Sequence, residues 1–216
     1  LTAKSAQETY EQTIRSFNLA ERYMTPVILL LDEITGHTTE RVIFPEKSSI
    51  ETVSRKTPPP GLDPKKYMPY RTGKDCVPML APFGTGYRYN VTGLAHDETG
   101  FPTNDSAEIE KLINRLTDKI SVNADDIVDY TFRGLEDAEI GLFAYGSVAR
   151  TANAAFHICR DKGIKVGLLE PRVLWPFPEE AVRELAGKVE TIVVPELNLG
   201  QMAREVALAS EGRVKV

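Results

Sequence analysis

A regular alternation of short apolar and longer amphipathic segments fills the last third of the chain and constrains its fold most. Strands joined by single helices pair in parallel, because each crossover helix returns the chain to the same end of the sheet. The pattern therefore predicts an α/β fold of parallel sheets with flanking helices. We predict strands at 140–144, 165–169, 191–194 and from Val214, and helices at 148–161, 178–187 and 199–209.

The first 46 residues predict one helix and one buried strand. Ser5 and Glu8 form a possible capping box for a helix that runs to about Tyr23. The apolar run in "TPVILLLDE" then favours a strand in the middle of a parallel sheet. Asp32, Glu33 and nearby His37 follow it at the edge where open α/β sheets bind ligands. Asp32 is therefore a site candidate, and polar residues simply leaving a core strand are the alternative.

A proline-rich connector follows, with seven of the 14 prolines between Thr57 and Gly86. Proline excludes regular helix and central strand there, so we expect a long connector over protein surface or against another subunit. Asp105 or Ser106 then caps a second helix. We expect its apolar stripe to be core: Ile109, Leu112, Ile113, Leu116 and Ile120.

Three adjacent polar residues, His96, Asp97 and Glu98, lie in the turn-rich string "TGLAHDETGFPTND". Their side chains can accept, donate or relay protons, so they are candidates for a site or a subunit contact. Neighbours on a loop rarely converge on one ligand, and a loop hydrogen-bond network is the alternative. A metal site would need further ligands from elsewhere.

Composition excludes several classes of function. A net charge of −5 without long like-charge blocks offers no surface for nucleic acid or an anionic membrane. No apolar run approaches the roughly 20 residues of a membrane span, so we expect a cytoplasmic protein. Cys76 and Cys159 lie far apart and have no CxxC neighbour, so we expect free thiols and no metal site.

The turn after residue 144 resembles the start of a nucleotide-binding unit. A dinucleotide turn needs three glycines, and here only Gly146 is present; Ser147, Val148, Ala149 and Arg150 follow. Glu170 stands at the distance of a ribose-binding acid, but Pro171 follows it directly. Packing is therefore the favoured interpretation, and an adenine-nucleotide sensor stays as a hypothesis.

A last group of candidates lies in "VPELNLGQMAREV", where a strand ends and a helix begins. Asn198 and Gln201, beside Glu196, are candidates for cofactor binding or a subunit contact. Helix capping by Asn198 is the alternative.

The strings "TGLAHDETG", "WPFPEEA" and "PELNLGQ", in this order, resemble the alpha subunit of 2-oxoacid:ferredoxin oxidoreductases, in the branch that includes 2-oxoglutarate enzymes. The resemblance implies the end of a pyrimidine-binding domain at 1–46, a connector at 47–106, and a transketolase C-terminal-like domain at 107–216. The first part of the pyrimidine-binding domain, with the best-known catalytic residues, is expected to be missing.

The resemblance also implies an activity and partners. Such enzymes cleave a 2-oxoacid on thiamine diphosphate, pass electrons through iron–sulfur clusters to ferredoxin, and transfer the acyl group to coenzyme A. The diphosphate, its Mg²⁺ and the clusters are expected mainly on a beta subunit within a hetero-oligomer, so this chain alone should be inactive. Pyruvate or branched 2-oxoacids as substrates, and a non-catalytic docking module, are the alternatives.

Overall fold

The computed structural model describes residues 1–216, which form two compact units. The sheet unit comprises Leu1–Ser16, Ile28–Ile50 and Val128–Val216, and the connector unit comprises Phe17–Val27 and Glu51–Ile127. The helices are α1 Ala6–Tyr23, α2 Glu33–His37, α3 Ser106–Ser121, α4 Ala124–Ile127, α5 Gly146–Asp161, α6 Glu179–Ala186 and α7 Gln201–Ala209, with 3₁₀ turns at Lys47–Ser49 and Pro64–Lys66. The strands are β1 Tyr130–Arg133, β2 Ile140–Phe143, β3 Val166–Pro171 and β4 Thr191–Val193.

The sheet unit is built on a four-stranded sheet in the order β1-β3-β2-β4. β2 pairs in parallel with both β3 and β4, as the alternation of strands and helices predicts. The α/β fold class is thus confirmed. β1 was not predicted and pairs antiparallel with β3, so the sheet is mixed. The strand expected from Val214 is reduced to a single bridge between Lys215 and Thr191.

Apolar side chains cover both faces of this sheet. Adjacent residues of a strand point to opposite faces. Leu169 accordingly joins a core cluster that contains α6 and α7 residues, whereas Leu168 joins the cluster that contains α5 residues. β3 is buried along its whole length, which explains its continuous apolar sequence.

The run in "TPVILLLDE" is not the buried strand that its sequence predicts. Its one backbone pairing is a parallel bridge between Leu30 and Thr2, and Ile28, Leu30 and Leu31 are exposed. An apolar run becomes a central strand only where strands flank it on both sides. Within this chain only the first two residues lie alongside it, so tertiary context overrides the local pattern.

The connector unit builds a small core without regular strands. Tyr67, Val77 and Ala81 are buried, so the proline-rich segment supplies core residues itself and does not simply cover a surface. α3 begins as predicted, with Asp105 accepting hydrogen bonds from the Ala107 and Glu108 amides, each at 3.0 Å. Its stripe is only partly core, because Ile120 is buried while Ile113 and Leu116 are exposed. The predicted domain division at residues 46 and 106 stays a prediction.

Asp129 holds the unpredicted strand β1 in place. Its carboxylate accepts hydrogen bonds from Arg172 Nε at 2.8 Å and Nη2 at 2.5 Å, and it also pairs with Arg15 of α1. Burial raises the pKa of the Asp129 carboxyl, but bonds from Arg172 and the charge of Arg15 outweigh burial, and the pKa lies below its usual 3.8. The Arg172 backbone amide also donates to the Asp129 carbonyl at 2.8 Å, which aligns β1 with β3.

We predict that Asp129→Asn lowers the free energy of unfolding at neutral pH by about 1–3 kcal/mol, because charged hydrogen bonds to two arginines are lost. The folded-state pKa lies below the unfolded value. The advantage of wild type over the variant should therefore be full above pH 3.8 and vanish as the pH falls through the folded-state pKa. Urea unfolding across pH measures this, with exposed Asp161→Asn as control. An advantage that grows on acidification would contradict it.

Candidate functional site

A carboxylate from the chain itself occupies the start of α5. Gly146 adopts φ +57°, and the Ser147 amide donates to Asp32 Oδ2 at 2.6 Å. Free amides and the helix dipole make a helix N-terminus attractive to anions. Asp32 supplies the negative charge where a phosphate would otherwise bind, which agrees with the packing interpretation of this turn.

The other members of the predicted cluster do not join Asp32. Glu33 and His37 lie exposed on α2, with His37 Nε2 3.7 Å from Glu33 Oε1. Glu40 instead reaches two partners within the sheet unit. It accepts a hydrogen bond from the Ala6 amide at 2.9 Å, at the start of α1, and pairs with Arg150 of α5.

Glu170, the possible ribose-binding acid, is buried in β3 and paired with Lys4. Its second carboxylate oxygen, Oε2, has no hydrogen-bond partner. The carboxylate is buried and pairs with a half-buried lysine, so it is not presented to a nucleotide ribose. The structure therefore gives no support to nucleotide binding through Glu170.

Glu196 and Asn198 accept hydrogen bonds from free amides at the start of α7, as Asp32 does at α5. Glu196 accepts hydrogen bonds from the Met202 amide at 3.1 Å and the Ala203 amide at 3.0 Å. Asn198 Oδ1 accepts from the amides of Gly200 and Gln201, both at 2.9 Å. Burial raises the Glu196 pKa, but the helix amides outweigh it and leave the pKa below its usual range. The Asn198 side chain thus satisfies amides at the start of α7, where Gly200 is the N-cap residue.

Tyr145 connects these two residues. Its hydroxyl donates to Glu196 Oε2 at 3.1 Å and accepts from Asn198 Nδ2 at 2.8 Å. Burial, together with the Glu196 charge, raises the pKa of Tyr145 to about 12, so the phenol stays protonated at neutral pH. The Gln201 side chain forms no hydrogen bond and is exposed. Cofactor binding by Asn198 and Gln201 stays a prediction.

His96, Asp97 and Glu98 line a cleft of about 340 Å³ in the connector unit, opposite one face of α3. His96 is buried, with Nε2 3.1 Å from the Thr92 hydroxyl and its ring stacked on Tyr70. Asp97 Oδ1 accepts from the Thr99 hydroxyl at 2.5 Å and the Thr99 amide at 2.9 Å. Asp32 belongs to the other unit, and the roles of all four residues stay predictions.

The electrostatics of this cleft limit what its acids can do. The Thr99 hydroxyl bond and nearby amides hold the pKa of the Asp97 carboxyl below its usual range, although burial opposes them. Asp97 is therefore ionised at neutral pH and cannot act as a general acid there. Glu98 is exposed and accepts from Arg71 Nε at 2.9 Å.

Sequence reasoning missed Arg115, which lines the same cleft. It forms neither a hydrogen bond nor an ion pair within the chain, and burial lowers the pKa of its guanidinium. Lys111, one turn earlier, pairs with Glu108 at 2.6 Å. The spacing of 108, 111, 115 and 118 along α3 marks one polar helix face, and this signal could have identified Arg115.

No three His, Cys, Asp or Glu side chains of residues 1–216 lie close enough together to hold a metal ion. Cys76 and Cys159 are free thiols in different units. None of the helices combines the length and the apolar character that crossing a membrane requires.

Comparisons with known proteins cover the whole chain. Residues 1–115 match the family model described as pyruvate flavodoxin/ferredoxin oxidoreductase, thiamine diphosphate-binding. Residues 138–216 match the pyruvate:ferredoxin oxidoreductase core domain II. A solved 2-oxoglutarate:ferredoxin oxidoreductase from Magnetococcus marinus, with 2-oxoglutarate, coenzyme A and succinyl-CoA bound, superposes with a TM-score of 0.85 at 26% identity. That match covers 100% of this chain and 37% of the solved chain.

Curated relatives also match over nearly the whole chain. The 2-oxoglutarate synthase subunit KorA of Methanothermobacter marburgensis is 41% identical over 100% of this chain and 57% of its own length. KorA of Methanocaldococcus jannaschii is 40% identical over 95% of the chain and 54% of its own length. The ketoisovalerate oxidoreductase subunit VorB of M. marburgensis is 33% identical over 97% and 51%. The chain spans about half the length of the curated relatives it matches.

We predict that Gly146→Ala destabilises the protein more than Gly163→Ala. Both glycines have positive φ, where alanine costs about 1–2 kcal/mol. Only at Gly146 would the new Cβ meet an obstacle, Asp32 Oδ2 at 2.5 Å, whereas nothing lies within 4 Å at Gly163. Relief would require Asp32 to leave the Ser147 amide. Chemical denaturation measures both variants.

The double variant Gly146→Ala with Asp32→Ala isolates the contact between these residues. Its loss of stability should be smaller than the sum of the two single losses, because the obstacle and the cap are removed together. Additive losses, or equal effects of the two glycine substitutions, would contradict the proposed role of Asp32.

Proposed function

Because the chain belongs to the pyruvate flavodoxin/ferredoxin oxidoreductase family, we propose that it forms part of the alpha subunit of a 2-oxoglutarate:ferredoxin oxidoreductase. The whole enzyme would decarboxylate 2-oxoglutarate oxidatively, form succinyl-CoA and pass two electrons to ferredoxin. The observation that carries this proposal is the match of the entire chain to 2-oxoglutarate synthase subunits. Pyruvate and branched 2-oxoacids remain alternative substrates; relatives named for 2-oxoglutarate are more similar to this chain than those named for ketoisovalerate.

We further propose that the cofactors are held mainly by a partner beta subunit in a hetero-oligomer in the cytoplasm. Thiamine diphosphate supplies an electron sink for decarboxylation. The residues of this chain do not fit a cysteine-ligated iron–sulfur cluster, because Cys76 and Cys159 are its only cysteines and belong to different units. No chemical step is therefore assigned to a side chain here, and the chain alone is expected to be inactive.

The contribution of this chain would be assembly and the shaping of the site region. In the sheet unit, carboxylates fill the helix N-termini at Ser147 and Met202, so these positions serve packing. In the connector unit, the cleft beside His96 has the size of ligand sites and an arginine free to pair with an anion. A purely structural docking module is the competing function, favoured by exposed side chains such as Ile113 and Leu197.

The function is tested by purifying the complete subunit from its own cells through an affinity tag. We expect a second subunit to co-purify, carrying iron and thiamine diphosphate, and the complex to reduce viologen with 2-oxoglutarate and coenzyme A. Pyruvate and 2-oxoisovalerate are the substrate controls. Faster viologen reduction with either control would identify that oxoacid as the substrate. A preparation without iron and thiamine diphosphate would favour the docking module.

The contribution of the cleft is tested by His96→Ala combined with Asp97→Asn in the assembled enzyme. If the cleft shapes the site, kcat/KM should fall about ten- to hundredfold, the loss expected of a displaced site. Asp125→Asn, at an exposed carboxylate of the same unit, is the matched control. Full activity, or a loss of activity that merely follows a lowered melting temperature, would show that these residues only form hydrogen bonds within their loop.

A further inference from the structure

A second cavity in the connector unit, of about 450 Å³, is walled by aromatic rings. We call it the aromatic cradle; its rings are Phe83, Tyr87, Tyr89 and Phe101, and Arg88, Asn90 and Thr99 complete it. Small-molecule sites typically have this volume and combine apolar walls with a few polar groups. None of the predicted site residues lines this cavity.

The two tyrosine rings of the cradle are held rigidly from behind. The Tyr89 hydroxyl donates to the Ala81 carbonyl at 2.8 Å, and the Tyr87 hydroxyl donates to the Leu62 carbonyl at 3.0 Å. The buried ring of Tyr67 packs against both, with its centroid 4.8 Å from that of Tyr87 and 6.1 Å from that of Tyr89. Because the polar ends are fixed, the ring faces are preorganised and a ligand need not order them.

The two phenylalanines present free ring surface to water. Phe83 is 88% exposed and lies on Tyr89 at 5.9 Å with planes only 9° apart, while Phe101 is 67% exposed. The turn before Phe101 is closely packed, because a Cβ on Gly100 would lie 2.8 Å from Pro69 Cγ. Exposed apolar rings beside the fixed tyrosines favour a binding surface.

Arg88 supplies the charge of the cradle. It is exposed and forms no ion pair or hydrogen bond within the chain. An unpaired guanidinium beside aromatic faces matches a flat ring that carries an anionic group, since arginine binds phosphate through two parallel hydrogen bonds. Acidic side chains do not line this cavity.

We propose that the aromatic cradle binds a purine ring carrying phosphate, with the ring stacked on Phe83 and Phe101 and the phosphate paired with Arg88. Free adenine nucleotides and the nucleotide part of coenzyme A share this chemistry. Base stacking on aromatic side chains and arginine–phosphate pairing suffice for such a site. As a coenzyme A site the cradle rests on the proposed function, whereas as a site for a free nucleotide it does not. The cradle lies in a different unit from the Gly146 turn, whose Ser147 amide is bound by Asp32.

Equilibrium binding to the complex purified with the complete subunit tests the proposal, with AMP as the probe. Adenosine keeps the ring without the phosphate, and ribose 5-phosphate keeps the phosphate without the ring. We expect saturable AMP binding in the millimolar range or tighter, weaker binding of adenosine, and none of ribose 5-phosphate. Equal binding of AMP and ribose 5-phosphate, or no saturation with AMP, would overturn the proposal.

Two variants assign the contacts. Phe83→Ala should weaken AMP binding about tenfold, as the loss of one stacking ring does elsewhere. Arg88→Gln should weaken AMP binding but leave adenosine binding unchanged. Exposed Phe17→Ala and Arg41→Gln, at residues outside the cradle, are the matched controls and should have no effect. Unchanged AMP binding in both cradle variants would overturn the assignment.

Competition separates the two sources of the ligand. If coenzyme A displaces AMP at much lower concentration than AMP itself requires, the cradle binds the nucleotide part of coenzyme A; equal or weaker displacement identifies a free nucleotide. If Phe83→Ala releases a co-purified protein while wild type binds no AMP, the cradle is a protein interface and the proposal fails. Viologen reduction without AMP binding would refute the cradle alone, and AMP binding without viologen reduction would refute only the oxidoreductase.

Discussion

The sheet unit depends on carboxylates that meet the exposed amides at helix N-termini. Asp32 reaches Ser147 at the start of α5, Glu40 reaches Ala6 at the start of α1, and Glu196 reaches Met202 and Ala203 at the start of α7. Each contact satisfies amides that a helix leaves unpaired and places negative charge at the positive end of its dipole. Because the partners are distant in sequence for α1 and α5, these bonds also connect separate segments of the chain.

This arrangement explains why a turn that resembles a nucleotide-binding loop performs a different task. The features that would attract phosphate, a positive-φ glycine and a serine at the start of a helix, are present at Gly146 and Ser147. The Asp32 carboxylate uses the same amide and the same dipole. An internal anion therefore competes with any external one at this helix start.

The connector unit forms a core without regular strands. Its prolines exclude regular strands, so a core must be built from side chains that carry their own hydrogen bonds to the backbone. Tyr67 does this by donating to the Met79 carbonyl and accepting from the Ala81 amide, both at 2.8 Å. Tyrosines suit this role because each ring buries apolar area while its hydroxyl satisfies a backbone group. The same fixed rings leave aromatic faces and charged groups at the surface, where the cleft and the aromatic cradle lie.

The sequence by itself determined the α/β fold class, the helices α1, α3, α5, α6 and α7, and the family resemblance, because hydrophobic periodicity and capping residues are local signals. It could not determine that "VILLL" lacks flanking strands, since burial depends on which segments lie alongside. β1 was missed because Asp129, paired with two arginines distant in sequence, aligns it with β3. Tertiary structure alone decided that Asp32 accepts the Ser147 amide at the start of α5, and that Arg115 lies unpaired in a cleft. Hydrogen-bond partners far apart in the chain are chosen by three-dimensional proximity, and a linear pattern of residue types does not encode it.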